Sequence, residues 1–403
     1  MASQRLYYDD SYTTHFAARV VEAGRHRGRA AAELATTYFY PESGGQEADH
    51  GTLGLTPVVD VQADDDGRVW HVLEAPLEPG VELEAEVDWA RRFDHMQQHT
   101  GQHVLSAALE RVLEAPTISS HLGHEHATIE AALADVDWRT VARIEDAANR
   151  VVWDDRPVER HWVSEAEIGR FALRKAPPEQ RHGSEGRIRI VEIPEWDVSA
   201  CGGTHTRRTG EVGVIKIVRW EKVRGNLRFE FLCGGRALRD HAWRTEALVE
   251  GARRRTLKDR DLILHLERAA SERDELRKRL EQITDRLITA EARERVGDPP
   301  RAVEDLAQQR PRDEVRRFVI KCLEAGAPWV VAAAQAPDPV VFVGRAKSAA
   351  IDLRTLVPEL GTRGRGRGGG SPELVQISAA DGAAAEDAGR WAASELTARA
   401  ESR

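Results

Sequence analysis

The chain has 403 residues, of which 41% are hydrophobic and 31% are charged, a composition typical of two or three globular domains. Its net charge of -9 excludes a generally basic surface, so we expect any contact with RNA to come from local patches. Three cysteines are too few for a disulfide framework, and we find neither an apolar signal core nor a run of about 18 apolar residues, so we expect a cytoplasmic protein without a membrane partner.

The first part of the chain alternates short apolar runs with turns, which is the pattern of a small β-barrel or sandwich. A strand is predicted over residues 36–40, and a turn follows it at the consecutive glycines Gly44 and Gly45. Two further apolar runs flank an acidic turn at residues 64–67, as expected for a hairpin. We therefore expect residues 1–92 to form a β-barrel-like domain.

Residues 93–240 combine helical and strand patterns and are expected to form an α+β domain. Asp94 is a suitable N-cap for a helix that continues to about Leu113, since apolar residues recur there at helical spacing. The other elements predicted in this part are strands over 128–131, 187–193, 213–218 and 228–232 and a helix over 137–152.

A long charged helix is predicted within residues 241–298, where apolar residues alternate at spacings of four and three. This seam consists of Leu262, Leu266, Ala269, Leu276, Leu280, Ile283, Leu287 and Ala290, and Arg273 interrupts it once. Because such a seam is typical of a coiled coil, we expect either a helical hairpin arm or a helix that pairs with a second copy. A homodimer through this arm or through the C-terminal domain is therefore predicted.

Residues 299–403 are expected to form a C-terminal α/β domain. Strands are predicted over 318–322, 329–334 and 340–344, and helices over 345–357 and 382–400. Between the two helices lies a glycine-rich tract, 361–370, that carries Arg363, Arg365 and Arg367. Flexible guanidinium groups suit contacts with nucleic-acid phosphates, and the alternative interpretation is a solvated loop without a ligand.

Two pairs of side chains have the spacing of metal ligands. His99 and His103 are four residues apart in a predicted helix, which places both imidazoles on one face. Cys201 and His205 flank a Gly-Gly turn after a predicted strand, so they can approach the same point from another side. Since nitrogen and sulfur ligands favour zinc, the four residues together predict a site for one zinc ion.

The spacing leaves other interpretations open. Two histidines alone can be ordinary core or surface residues, and Cys201 with His205 can form a nucleophile and its base, although the nearby histidines favour a metal. Four protein ligands are typical of structural zinc, whereas catalytic zinc usually keeps one open position, so the role of the ion stays open. Ligating histidines usually donate their free N–H to an acceptor, which we expect to be Asp94, Gln97 or Gln98.

The turn Ser43–Gln46 is a second candidate for chemistry. Its consecutive glycines allow the backbone to approach a ligand closely, and Gln46 can orient a water molecule or bind a carbonyl group. The alternative is an ordinary hairpin turn with an exposed glutamine.

Three motifs, in this order along the chain, resemble the editing half of alanyl-tRNA synthetase. They are residues 38–46 with Asp49 and Gly51, residues 99–103, and residues 201–205. The resemblance spans about residues 5–240, and this region is most similar to the freestanding editing proteins of the AlaX type. The C-terminal part resembles the DHH-associated domain of the synthetase, joined through a helical arm as in the long AlaX class, although residues 377–380 depart from its glycine-rich continuation.

This resemblance implies a trans-editing aminoacyl-tRNA deacylase that hydrolyses the ester of tRNA(Ala) mischarged with serine, with glycine as a second candidate. Editing is needed because a site that binds alanine cannot strongly exclude a slightly larger amino acid, whereas a second site can select the hydroxyl. The implied zinc ligands are His99, His103, Cys201 and His205. The implied catalytic residues are Gly44 and Gly45, whose N–H groups face the oxyanion, together with Gln46 and the pocket threonine Thr100.

The alternative function, from a different class, is a noncatalytic tRNA-binding adaptor with a structural zinc. The complete four-ligand set and the helical arm favour it. A complete synthetase is not expected, because the sequence leaves no room for an ATP-binding activation domain before the editing region. In either case the expected fold is α+β, with a barrel, a zinc-binding domain, an arm and an α/β tail.

Overall fold

The computed structural model describes residues 3–175 and 187–401, which form a mixed α+β protein. The chain divides into two compact units, residues 1–255 and 256–403. Within the described residues, no helix is both long enough and apolar enough to cross a membrane.

The first unit begins with eight strands. They are β1 (Gln4–Arg5), β2 (His15–His26), β3 (Arg29–Leu34), β4 (Thr36–Thr37), β5 (Gly51–Leu53), β6 (Thr56–Ala63), β7 (Val69–Leu73) and β8 (Glu82–Val87). Six of them close into a barrel in the order β2-β3-β7-β6-β5-β8, which confirms the barrel predicted from the alternating runs. Its interior is filled by apolar side chains such as Val20, Leu34 and Val61, none of which is exposed.

Helix α1 (Trp89–Leu113) follows directly after the barrel. It begins earlier than predicted, because Asp88 is its N-cap and accepts a hydrogen bond from the Arg91 amide at 3.1 Å. The predicted cap, Asp94, lies within the helix, where its carboxylate pairs with Arg236 at 2.6 Å. The helix therefore starts as soon as the last barrel strand ends.

The remainder of the first unit packs around α1. Its elements are β9 (Thr117–Leu122), β10 (Ala127–Ala131), α2 (Trp138–Trp153), β11 (Glu159–Val163), β12 (Ile188–Ile193), β13 (Asp197–Ala200), β14 (Ile215–Val223), β15 (Asn226–Cys233) and α3 (Gly234–Arg253). Four strands form a sheet in the order β14-β15-β10-β9, and three form a second sheet in the order β11-β12-β13. Helices α1 and α2 bury their apolar faces against the larger sheet in one core, where Leu105, Ile144 and Phe229 are fully buried.

The second unit is a five-stranded sheet with helices on both faces. Its elements are α4 (Leu262–Val296), β16 (Val303–Gln308), α5 (Arg312–Glu324), β17 (Trp329–Ala334), β18 (Val340–Arg345), α6 (Val357–Gly364), β19 (Gly368–Gly370), β20 (Leu374–Ser378) and α7 (Gly382–Glu401). The strand order is β16-β17-β18-β20-β19. The end of α4 and α5 cover one face, and α6 and α7 cover the other.

Two predictions for this unit are wrong. The strand predicted over 318–322 lies within α5, because its buried residues Phe318, Val319 and Cys322 also share one helical face. The helix predicted over 345–357 is misplaced, since α6 begins only at Val357. A short apolar run does not distinguish a buried helix face from a buried strand.

The long helix α4 presents an apolar seam that the described part of its unit does not cover. Leu276, Leu280 and Leu287 of the predicted seam are 57%, 65% and 65% exposed, respectively. Apart from Leu262 at its start, the buried residues of this helix lie in its C-terminal turns, where Ile288 and Val296 pack against α5. The helix is thus confirmed, while its pairing with another helix stays a prediction.

Candidate metal centre

Helix α1 is held in place by a buried ion pair. The guanidinium of Arg92, which is not exposed at all, binds the Asp49 carboxylate and donates to the carbonyl oxygens of Ser11 and Tyr38 at 2.7 and 2.5 Å. The same carboxylate accepts a hydrogen bond from the Tyr40 amide at 2.6 Å. The segment after strand β4 is therefore tied to the helix that carries two of the predicted ligands.

The turn after strand β13 carries the other two predicted ligands. Arg189 on β12 is fully buried, and its Nη1 donates to the carbonyl oxygens of Cys201 and Gly203 at 2.9 and 3.0 Å. Position 203 must be glycine, because a Cβ there would lie 2.1 Å from the Cε1 atom of His99. This close approach brings the turn against the α1 histidines.

The structure brings the four predicted ligands into one cluster. The ligand atoms of His99, His103, Cys201 and His205 all lie within 4.8 Å of one another. The Cys201 Sγ is 3.3 Å from the Nε2 atoms of both His99 and His205. The three imidazoles are buried, while Cys201 is half-buried. Three nitrogen atoms and one sulfur atom around a common point form a donor set that fits a single metal ion.

Each imidazole is oriented by a hydrogen bond on its Nδ1 atom. That of His99 lies 2.8 Å from the Gln46 Oε1, and that of His103 lies 2.7 Å from an Asp197 carboxylate oxygen. The Nδ1 of His205 is 3.4 Å from the Thr100 hydroxyl. These contacts leave the Nε2 atoms for the centre of the cluster, which is the arrangement found in ligating histidines.

The acceptors predicted for these histidines were wrong. Asp94 pairs with an arginine of α3, Gln97 donates to a backbone carbonyl at 2.9 Å, and Gln98 binds the backbone of Cys233. The residue that sequence reasoning missed is Asp197. The sequence does contain a signal for it, since Asp197 begins the strand that leads directly to the predicted ligand Cys201.

The cluster lowers the pKa of its thiol. Burial alone would raise the pKa of Cys201, but the neighbouring His99 and His205 outweigh it and hold that pKa well below its usual range. Burial and the nearby His99 also lower the pKa of His205. Burial opposes the charged form of His103, yet the hydrogen bonds that its ring donates to Asp197 and Cys201 raise its pKa to about 9. Metal binding requires the thiolate of Cys201 and the neutral form of His103, so an ion that binds here would displace a proton from that imidazole.

The predicted glycine turn lies beside the cluster. Ser43 and Gln46 close it through two backbone hydrogen bonds of 3.1 and 2.9 Å. Gly44 and Gly45 have φ angles of +58° and +84°, which favour glycine at both positions. The Gly45 carbonyl accepts from the Leu122 amide at 2.8 Å, whereas within the described residues neither glycine amide donates a hydrogen bond.

Gln46 and Thr100 are committed to holding other groups. The Gln46 side chain is fully buried, where its Nε2 donates to the Thr204 hydroxyl at 2.8 Å and its Oε1 accepts from the Thr204 amide at 3.1 Å as well as contacting His99. The Thr100 hydroxyl is also buried and accepts from the Thr206 amide at 3.0 Å. These contacts support positioning roles instead of the direct contacts with water or substrate that we expected.

A cleft of about 330 Å³ opens onto the cluster. It is lined by Tyr40, Ser43, Gly44, His99, Gln102, His103, Thr117, Ser119, Ser120, Arg174, Lys175, Ser199, Ala200, Cys201, Gly202 and Gly203. Three of the four cluster residues and the first glycine of the turn thus form part of its wall. The arrangement can present a metal ion and backbone N–H groups to a small polar group.

The predicted phosphate-binding arginines lie in the second unit, and two of them already have acidic partners. Arg363, in the last turn of α6, pairs with Glu359 at 2.9 Å. Arg365 follows α6 and pairs with Asp381. Among the described residues Arg367 makes no ion pair. The tract is therefore a helix end and an edge strand, not a free loop. Of its three arginines, Arg367 is the one without an ion-pair partner among the described residues.

Comparisons with known proteins agree with the motifs. A family model described as the threonyl and alanyl tRNA synthetase second additional domain matches residues 188–229. The alanyl-tRNA editing protein AlaX-L of Pyrococcus horikoshii is 36% identical over 58% of this chain and 59% of its own length. An alanine–tRNA ligase of Pyrobaculum neutrophilum is 34% identical over 93% of this chain and 42% of its own, and one of Methanopyrus kandleri is 35% identical over 73% and 34%. The chain thus spans less than two thirds of each of these relatives.

Proposed function

We propose that this chain is an alanyl-tRNA editing protein of the AlaX type, a trans-editing deacylase that hydrolyses the ester of tRNA(Ala) mischarged with serine. The glycyl ester is proposed as a second substrate. The observation that carries the proposal is the convergence of the four-residue cluster and the Gly44 turn on one cleft. We place its action in the cytoplasm. The relatives' names support a role in tRNA editing.

We further propose that the cluster of His99, His103, Cys201 and His205 holds one zinc ion. Three imidazole nitrogens and a thiolate form a donor set that zinc prefers over harder cations. The Nδ1 contacts fix each ring with its other nitrogen toward the common point, and the lowered pKa of Cys201 supplies the thiolate. When bound, zinc would polarise an ester carbonyl or lower the pKa of a water molecule.

The protein's own groups would orient the ester and stabilise developing charge. The N–H groups of Gly44 and Gly45 are donors without partners among the described residues, so they can bind the oxyanion of a tetrahedral intermediate. Gln46 and Thr100 fix His99 and His205 from behind. The cleft, of about 330 Å³, has room for a small aminoacyl group.

A deacylation assay tests this proposal. Purified protein should release serine from Ser-tRNA(Ala) and spare Ala-tRNA(Ala), with one zinc ion per chain by metal analysis of the same sample. Replacing a ligand, His103→Ala, should abolish both zinc binding and hydrolysis. A His103→Ala protein with full deacylase activity would show that the cluster is not the reaction centre.

A noncatalytic tRNA-binding adaptor is the second candidate, because the cluster offers a complete set of four protein ligands, as structural zinc sites do. It predicts tight binding of tRNA without hydrolysis of Ser-, Gly- or Ala-tRNA(Ala). The deacylation assay therefore decides between the two functions.

We propose that the C-terminal part serves tRNA binding and dimerisation. We retain the predicted domains: a barrel at 1–92, an editing domain at 93–240, an arm at 241–298 and a DHH-associated domain at 299–403. The exposed apolar seam of α4 supports pairing with a second copy, and the arginines of the second unit support phosphate contacts. Removing the second unit should weaken tRNA binding and leave the zinc content unchanged.

A further inference from the structure

Gln102 is a buried polar side chain of the cleft that the proposed chemistry does not use. It lies on α1 directly before His103, lines the cleft and is only 6% exposed. Its Nε2 donates to the Ser106 hydroxyl at 2.8 Å. Within the described residues, its Oε1 accepts no hydrogen bond. Because Ser106 fixes the amide, Gln102 presents a carbonyl oxygen, which can only accept, to a ligand in the cleft.

Most hydroxyl groups of the cleft wall are committed, exposed or shielded, and the half-buried Ser43 is more accessible to water than Gln102. Ser199 donates to Asp197 at 3.0 Å, and Ser119 and Ser120 are exposed, so water satisfies them whether or not a ligand is present. The Thr117 hydroxyl has no hydrogen-bond partner among the described residues, but it is inaccessible to solvent, so a ligand in the cleft cannot contact it. Among the described wall residues, Gln102 therefore combines an uncommitted acceptor with a mostly desolvated position.

We propose that Gln102 determines the amino-acid specificity of the cleft by accepting a hydrogen bond from the side-chain hydroxyl of the substrate. This inference rests on the proposed deacylase function. A seryl ester would donate its hydroxyl to Oε1, whereas an alanyl methyl group would leave this buried acceptor without a partner. A site that binds a hydroxyl in this way rejects the analogue without it far more strongly than a pocket that discriminates by size.

Thr100, the pocket threonine that the resemblance implies, is less suited than Gln102 to bind the substrate's hydroxyl. The Thr100 hydroxyl does not line the cleft and already accepts the Thr206 amide. Gln102 has the opposite properties, since it lines the cleft and its carbonyl is uncommitted. The two side chains leave the same helix in different directions, so the hydroxyl-binding group is the one that faces the ligand.

The test compares kcat/KM for Ser-tRNA(Ala) and Ala-tRNA(Ala) in the full chain. Gln102→Met keeps the length of the side chain but removes the acceptor, so the serine value should fall at least about tenfold while the alanine value does not fall. Gln102→Glu keeps an acceptor and should retain most of the serine preference. The matched control is Gln97→Met on the same helix, whose amide binds the Glu211 carbonyl away from the cleft, and it should keep the wild-type ratio.

Zinc content separates the outcomes. A Gln102→Met protein with one zinc ion per chain and an unchanged serine-to-alanine ratio would overturn the assignment. Equal losses for both esters, accompanied by zinc loss, would also overturn it, because they indicate a purely structural role. If the wild-type protein hydrolyses no aminoacyl-tRNA, the proposed function itself fails, and the inference fails with it.

Discussion

Replacing Gly203 with alanine tests the cluster most directly, because the glycine lies against one of its ligands. An added Cβ would lie 2.1 Å from Cε1 and 2.3 Å from Nδ1 of His99, and 2.9 Å from the Gln46 Oε1. One methyl group would therefore clash with both partners of the hydrogen bond that orients this imidazole, the His99 ring and the Gln46 carbonyl oxygen. Neither group can move freely, since both are buried.

The size of the displacement predicts the loss of the ligand. The His99 ring must retreat by about 0.9 Å before the 2.1 Å contact reaches even 3.0 Å. Metal–ligand distances tolerate deviations of only about 0.2 Å, so this retreat removes His99 from the coordination sphere. Displacing an orienting partner alone typically costs about 10- to 100-fold in metal affinity, and we expect Gly203→Ala to exceed that range. Overpacking should also cost about 1–3 kcal/mol of folding stability.

The assay is competition for zinc against a chromophoric chelator, with a thermal melt of the same sample. Gly24→Ala is the matched control, because a Cβ at that barrel position meets no atom within 4 Å. The control should bind zinc as the wild type does. A folded Gly203→Ala protein with wild-type zinc affinity would refute the reasoning, since His99 could then not be a ligand in the described geometry.

Three further predictions follow from the same contacts. Asp197→Asn should weaken zinc binding about 10- to 100-fold in the chelator assay, because it removes the charged acceptor that orients His103, and an unchanged affinity would contradict this. Arg189→Met should lower the free energy of unfolding by about 2 to 4 kcal/mol in a denaturant titration, since buried carbonyl oxygens lose their donor, and a neutral effect would be the contrary result. Arg367→Ala should reduce the salt dependence of tRNA binding by roughly one phosphate contact, whereas the acid-paired Arg363 should matter less; equal effects of the two would count against the assignment.

The sequence identified the cluster but not the groups that hold it. The spacing of His99 and His103 needs only the helical repeat, and Cys201 and His205 need only one turn, so both pairs are visible locally. Gln46 was visible as a polar residue beside two glycines, yet its function depends on contacts with Thr204, more than 150 positions away in the chain. A sequence does not reveal which of several polar residues has its hydrogen bonds satisfied by distant backbone atoms.

The fold shows the same division between local and distant information. The barrel was predictable because alternation along a strand reports directly which face is buried. The strand predicted at Phe318–Cys322 was wrong because a short apolar run has the same appearance in a helix that covers a sheet. The start of α1 was misplaced because both Asp88 and Asp94 are suitable caps, and only the end of the preceding barrel strand selects the first. Where two residues are equally suitable as a cap, tertiary packing therefore determines where the helix begins.

The position of the cleft bears on whether the proposed zinc would be structural or catalytic. Structural zinc sites are usually closed and enclosed by their ligands, while catalytic ones are open to a substrate. Here His99, His103 and Cys201 form part of the cleft wall, and Cys201 is only half-buried. The proposed zinc would therefore be held by these residues at a point that opens onto the cleft, where it could polarise the carbonyl of a bound ester. The geometry consequently favours the deacylase over the adaptor, because an adaptor has no need for a cleft that leads to its zinc.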